Sequence, residues 1–152
     1  MNTLGIRVKP DEVVFSVYDS ESKSFINVEK LIVPCALTTP EQLKYIRSNI
    51  LDILREYSIS KAGIRVTEGN AHVKNIQRLY LEGVIQETFA SSSIIEYKTL
   101  VLSSMASKLG TTSKELKKFI SKEDNEANLS IDISRFKKEE IESILVAVVM
   151  TL

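Results

Sequence analysis

The sequence predicts an α/β fold: a mixed five-stranded sheet, a three-strand antiparallel meander plus parallel strands, flanked by helices. Three observations carry this. Three runs rich in β-branched and aromatic residues crowd the start of the chain, separated only by turn residues. Strand-like and helix-like runs then alternate, which calls for parallel pairing through right-handed crossovers. The remainder of the chain carries helical patterns alone.

The first strand is read at Leu4 to Val8, ended by Pro10. The second is Glu12 to Asp19, with Val13, Phe15 and Val17 on one face and Val14, Ser16 and Tyr18 on the other. The turn SESKS leads to a third strand, Phe25 to Val33. Close spacing makes these three an antiparallel meander. The stretch TPEQ then opens a helix, with Thr39 at the N-cap, Pro40 at N1 and Gln42 at N3. Leu43, Ile46, Ile50, Ile53, Leu54 and Tyr57 recur along it at helical spacing. KAGIRV gives the fourth strand. A second helix is expected from about Ala71 to Ala90, offering Val73, Ile76, Leu79, Tyr80, Val84 and Phe89 to the core. SIIEY reads as the fifth strand, and Thr99 as the start of a third helix. Thr112 and Glu115 form a capping box for the helix KELKKFI. The polar stretch SKEDNEANLS is expected to be a flexible loop within about 121–133. A final helix covers about Lys137 to Leu152. No internal repeat is evident.

The chain has 152 residues, the size of one domain with a substantial core, and the sequence is read as a single domain over 1–152. Twenty basic residues balance twenty acidic ones, so net charge makes no case for nucleic acid, although a local patch remains compatible. Cys35 is the only cysteine, which excludes a disulfide framework or a zinc cluster and fits a reducing compartment. The N-terminus lacks a signal-peptide profile, and the apolar C-terminal run SILVAVVMTL is too short to span a bilayer. A cytoplasmic location and no membrane partner are expected. Nucleotide-loop and hydrolase-elbow signatures such as GxGxxG, GxxxxGK[ST] and GxSxG are absent.

The element order resembles that of the ribonuclease H-like fold, and several segments resemble its RuvC-like branch. LGIR at 4–7 stands where those proteins carry LGID. EYKTLVLSSMASKLGTTSKEL resembles their strand, turn, helix and glycine-containing loop. KEEIESILVAVVM resembles their last helix, with acids three apart followed by small and apolar residues. The chain is also similar, over most of its length, to an uncharacterised bacterial domain family of this type, through GIRV, YLEGVIQ and ESILVAVV.

The resemblance implies a two-metal nuclease site, in which about four carboxylates hold two divalent ions roughly 4 Å apart. Magnesium or manganese would be the cofactor, since hard oxygen ligands suit them. Carried over residue by residue, the first-strand acid falls on Arg7, a cation that repels a metal. The fourth-strand acid falls near Glu68, or in an ungapped comparison on Val66 beside Arg65. The last-helix pair falls on Glu139 and Glu142, which share a helical face, or on Glu140 and Ser143. Glu68, Glu139 and Glu142 are therefore the candidate catalytic residues, and Glu68 and Glu142 the candidate metal ligands. With Arg7 among them, two-metal hydrolysis is not expected, and neither is a cofactor.

Each candidate also has a structural reading. Glu68, Glu139, Glu140 and Glu142 suit helix starts, where the dipole favours acids. Arg7 on a central strand needs a partner, and Glu68 or Glu142 fits an ion pair in the metal's place. Arg7, Lys9, Arg65, Lys74 and Arg78 are candidate phosphate contacts. KELKKF reads as a solvated face that is also able to touch phosphates through Lys114, Lys117 and Lys118. His72, the only histidine, reads as a surface or capping residue, and Cys35 as a partly buried structural thiol.

Two functions follow. One is a non-catalytic, degenerate RuvC-like module acting through self-association, as a homodimer, or as a subunit of a nucleic-acid-handling system. The second helix around Leu79, Tyr80, Gly83 and Val84 either packs on its own sheet, the reading preferred here, or supplies a dimer face. The other is a divergent metal-dependent nuclease or DNA-junction-binding protein using magnesium or manganese.

Overall fold

A computed structural model describes residues 1–152. The elements run β1 (Asn2–Val8), β2 (Glu12–Asp19), β3 (Ser24–Ile32), α1 (Thr39–Glu56), β4 (Ile59–Arg65), α2 (Ile76–Ser91), β5 (Glu96–Leu100), α3 (Leu102–Lys108), α4 (Ser113–Ile120) and α5 (Lys138–Val149). One five-stranded sheet has the order β3-β2-β1-β4-β5. β1–β2 and β2–β3 are antiparallel; β1–β4 and β4–β5 are parallel. This is the mixed sheet that the sequence predicts.

The two faces of the sheet are built differently. Leu4, Ile6 and Val8 alternate with Thr3, Gly5 and Arg7 along β1. The first set joins Val13, Phe15, Val17, Ala62 and Ile64 in one core, sealed by Ile46 and Ile50 of α1 and Leu81, Ile85 and Phe89 of α2. A second core joins Leu100 to residues of α3, α4 and α5, among them Met105, Leu116, Phe119, Ile141 and Leu145.

α5 lies unusually close to the sheet. A Cβ on Gly5 would stand 2.0 Å from the Ser143 carbonyl oxygen and 2.4 Å from the Ala147 nitrogen. Gly63, the register partner of Gly5 on β4, would meet the Val146 and Met150 side chains at 2.8 and 3.0 Å. Glycine at both positions removes the side chains that would hold the helix off. Polar atoms trapped in this contact are satisfied locally. Thr3 donates its hydroxyl to the Ala147 carbonyl at 2.7 Å, and the Ser16 and Ser143 hydroxyls share a 2.6 Å bond.

Several boundaries differ from the sequence reading. The α1 cap is Thr38, not Thr39. Glu41 at N3 accepts from the Thr38 amide at 3.2 Å, and Pro40 moves within the first turn. α2 starts at Ile76 rather than Ala71, because Asn75 caps it by accepting the Arg78 amide at 3.0 Å. That start turns Leu81, Ile85 and Phe89 inward and leaves Val73, Ile76, Leu79 and Tyr80 exposed. β5 is displaced to Glu96–Leu100, since its register on β4 pairs Lys61 with Glu96 and Arg65 with Leu100. α3 consequently begins at Leu102, where the Ser104 hydroxyl accepts the Val101 amide at 2.9 Å. Cys35 is exposed, in the turn between β3 and α1, not partly buried. The segment 121–137 holds no helix or strand, yet Ala127 is buried, and Leu129, Ile131, Ile133 and Phe136 pack on the second core. No helix is long and apolar enough to cross a membrane.

Candidate functional site

Arg7 and Arg65 are Cα partners at the C-terminal ends of the two central parallel strands. Register partners point to the same face of a sheet, here the face beneath α5. The sequence encodes this pairing twice over. Gly5-Ile6-Arg7-Val8 recurs as Gly63-Ile64-Arg65-Val66, and the two copies align glycine on glycine and arginine on arginine. Each glycine admits α5, and one pleat later each arginine reaches the helix's N-terminal turns.

Glu142 meets them there. Its carboxylate Oε2 lies 2.6 Å from Arg7 Nε and 3.8 Å from Arg65 Nε, with side-chain exposures of 5%, 12% and 8%. Arg65 Nε is too distant to donate to Oε2 and Arg7 Nε forms no hydrogen bond with it, so both contacts are electrostatic. Arg7 also donates through Nη1 to the Arg65 carbonyl at 3.1 Å. Burial draws the Arg7 pKa down to about 10, and the Glu142 charge works against that pull, so the guanidinium stays charged at neutral pH. Arg65 holds Glu68 Oε1 at 2.9 Å through Nη2 and donates through Nη1 to the Val66 carbonyl.

Arg7 is therefore ion-paired, as the sequence reading allowed, and its partner is Glu142. Glu68 is committed elsewhere. Besides Arg65, it accepts the Leu102 amide at 3.0 Å, so it caps α3. Glu140 accepts the Lys137 amide at 2.9 Å at the start of α5. Glu139, expected beside Glu142, instead lines a separate groove with Lys9, Glu12 and Lys30 on the β2–β3 side. One turn of helix is enough to carry it away from the centre of the sheet. Lys9 belongs to that groove and pairs with Glu12 at 3.2 Å. Lys74 is exposed in the connection before α2, as is His72.

Sequence reasoning missed Glu82. It is buried on α2 and accepts from the Thr67 amide at 2.8 Å, the Thr67 hydroxyl at 2.7 Å and Arg78 Nε at 3.2 Å. It thereby fixes the chain leaving β4. Its position inside an otherwise apolar inner stripe, Leu81–Ile85–Phe89, was the available signal.

The fit to a divalent ion is poor. No group of three or more His, Cys, Asp or Glu side chains is arranged to hold one. The one acid at the centre faces two guanidiniums. What the elements do assemble is a basic cleft of about 620 Å³ in front of Arg7, Arg65 and Glu142. Lys114, Lys117 and Lys118 of α4 and Lys138 of α5 line it. Leu116, Phe119 and Ile120 anchor α4 in the second core, and this leaves its lysine face solvent-exposed along the rim of the cleft.

Strand order, meander and the C-terminal helix over β1 make this an RNase H-like fold. In its RuvC-like form it is similar to solved resolvases. Thermus thermophilus RuvC matches with a TM-score of 0.75 at 11% identity, over 98% of this chain and 92% of that one. T. thermophilus RuvC in complex with Holliday junction substrate gives 0.67 at 11% identity, with the same coverages. The yeast mitochondrial Holliday junction resolvase Ydc2 gives 0.54 at 14%, over 97% of this chain and 76% of that one. At these identities the likeness is one of fold. No family model matches the chain, and no curated protein matches its sequence.

Proposed function

We propose that this chain is a non-catalytic RuvC-like module that acts through self-association or as a subunit of a nucleic-acid-handling system. The Arg7–Glu142 ion pair at 2.6 Å carries the reading. A metal ion placed there would meet a tethered cation and would have to compete for the only central carboxylate. Glu68 does not rescue the site, since both Arg65 and the α3 amide draw on it. The similar structures named for Holliday junctions make four-way DNA the first ligand to test.

Self-association has its own support. Ile76, Leu79 and Tyr80 form an exposed strip on α2, and the position of Gly83 on the same face is open. Glu87, the only charge along that strip, is tied to Arg47 at 2.9 Å. A two-fold axis would lay this largely apolar face against its own copy, with Gly83 at the helix crossing.

Magnesium and manganese titrations followed by thermal unfolding test the central claim. No rise in Tm at millimolar metal and no cleavage of a labelled four-way junction are expected. A metal-dependent rise that Glu142→Gln abolishes would refute it. Sedimentation tests the second part: a wild-type dimer should become a monomer in Leu79→Glu.

A further inference from the structure

We infer that the cleft in front of Arg7 and Arg65 binds phosphate groups directly, with lysine ammoniums in contact and no metal ion between. The inference deepens the metal-free reading above and rests on it. Its ground is an imbalance of charge confined to one place in a chain that is neutral overall. The cleft lining holds six cations and two carboxylates. Those two acids do not neutralise it. Glu142 is absorbed between the guanidiniums of Arg7 and Arg65, which leaves Glu123 as the one lining acid set against the lysines.

The lysines divide into two kinds. Lys118 is tied to Asp124 and Glu126 at 3.5 and 3.6 Å. Lys114, Lys117 and Lys138 form no ion pair and are exposed, yet all three border the same cavity. Lys114 and Lys117 lie three residues apart on α4, so they share a helical face. Lys138 opens α5 from the other side. At the floor, Arg65 keeps a buried Nε with no hydrogen-bond acceptor. Both guanidiniums are largely buried, with Arg7 and Arg65 each donating to a backbone carbonyl and Arg65 holding Glu68, so they supply field, and the exposed ammoniums supply the contacts.

Phosphate is the group this arrangement suits. A single carboxylate would leave most of the charge uncompensated, whereas phosphodiesters bring one negative charge each and phosphate monoesters nearly two. Lysine binds phosphate as a point charge that needs no fixed geometry. At about 620 Å³ the space falls within the range of ligand pockets and exceeds what one inorganic anion fills. The same chemistry is offered by a polynucleotide backbone and by a free phosphate compound.

The test uses the full chain in EDTA at low salt, with two probes: a fluorescein-labelled duplex read by anisotropy, and pyrophosphate read by thermal shift. The variant is Lys114→Ala/Lys117→Ala/Lys138→Ala, whose side chains are exposed and unpaired, so its Tm without probe should match wild type. Lys74→Ala is the control. Duplex binding should weaken by at least about tenfold in the triple variant and hold in the control. The slope of log K against log salt should fall by roughly 2–3, about 0.9 for each lost contact. Displacement of the duplex by pyrophosphate, with a pyrophosphate-induced rise in Tm, assigns the site to free phosphate compounds; binding of duplex alone assigns it to a polynucleotide backbone. Equal binding by triple variant and wild type, or no binding of either probe to wild type, overturns the inference and leaves the non-catalytic reading intact. Binding that appears only when magnesium is added overturns both.

Discussion

Glu142→Gln is the most informative single change in this protein. Glutamine keeps the shape of the side chain and removes its charge. In the native protein that charge lies 2.6 Å from Arg7 and 3.8 Å from Arg65, with both guanidiniums almost wholly buried. Arg65 retains Glu68 at 2.9 Å, but Arg7 retains only a backbone carbonyl. Removing one partner of a buried pair costs about 3–5 kcal/mol, because it leaves the other charge desolvated and uncompensated. A domain of this size is stable by about 5–15 kcal/mol in total. The loss should therefore appear as a fall of roughly 6–20 °C in Tm. In urea the midpoint should fall by about 2 M, for a slope of roughly 2 kcal/mol per M. The control is the double variant Arg7→Met/Glu142→Leu, which removes both charges and leaves the Arg65–Glu68 pair. It should recover much of the loss, and a cycle closed with the single variants Arg7→Met and Glu142→Leu should give a coupling energy of at least about 2 kcal/mol. A Glu142→Gln loss under about 1 kcal/mol, or a cycle additive to within about 0.5 kcal/mol, would show that the charges are solvated and that the site is not a closed ion pair.

The two glycines beneath α5 should differ in tolerance. Gly5→Ala drives a methyl into the helix backbone at 2.0 Å and should cost more than about 4 kcal/mol or abolish folding, as read by circular dichroism and urea unfolding. Gly63→Ala meets side-chain atoms of Val146 and Met150 rather than backbone, so the smaller cost of an overpacked core, about 1–3 kcal/mol, is expected. Acid sensitivity should trace in part to Glu96, whose pKa is lowered to about 2 by hydrogen bonds from Lys98 and Lys61. A carboxylate depressed in the folded state stabilises fully above its unfolded pKa, and that contribution drains away as pH falls from about 4.5 towards 2. Urea midpoints measured across that range should fall less steeply in Glu96→Gln than in wild type.

Much of the fold was legible because its signals are local. Alternation along β1 and β2, the turn SESKS and the capping box at Thr112 each depend on residues within a few positions of one another. The displacement of β5 to Glu96–Leu100 was not legible, because parallel register on β4 decided it. SIIEY has strand propensity, but Glu96 to Leu100 have the partners. The inward stripe of α2 misled for a related reason. Ile76, Leu79 and Tyr80 form a convincing apolar face, and only the Asn75 cap and the position of the sheet reveal that Leu81, Ile85 and Phe89 are the buried one. At the site, the Arg7 ion pair was readable as a need, since a central-strand guanidinium must find an acid. The participation of Arg65 was written in the sequence as the repeated tetrapeptide GIRV, whose meaning appears only when the two strands lie in register. The lysine face of α4 could not be placed without the direction in which Leu116, Phe119 and Ile120 dock.

The repeated tetrapeptide also explains why a cation is required at this point at all. Gly5 and Gly63 bring α5 down until backbone meets backbone. That depth carries Glu142, near the start of the same helix, into the sheet surface, where its side chain is 5% exposed. A carboxylate so buried either takes up a proton or acquires a positive neighbour. A divalent ion satisfies the need only with further acids around it, and β1 and β4 supply none at the matching pleat. They supply Arg7 and Arg65 instead, tethered and always present. Close packing of the helix, burial of the acid and its pairing with guanidinium are thus one structural decision, made two residues apart on two adjacent strands. The surplus charge it leaves faces outward, into the lysine-lined cleft.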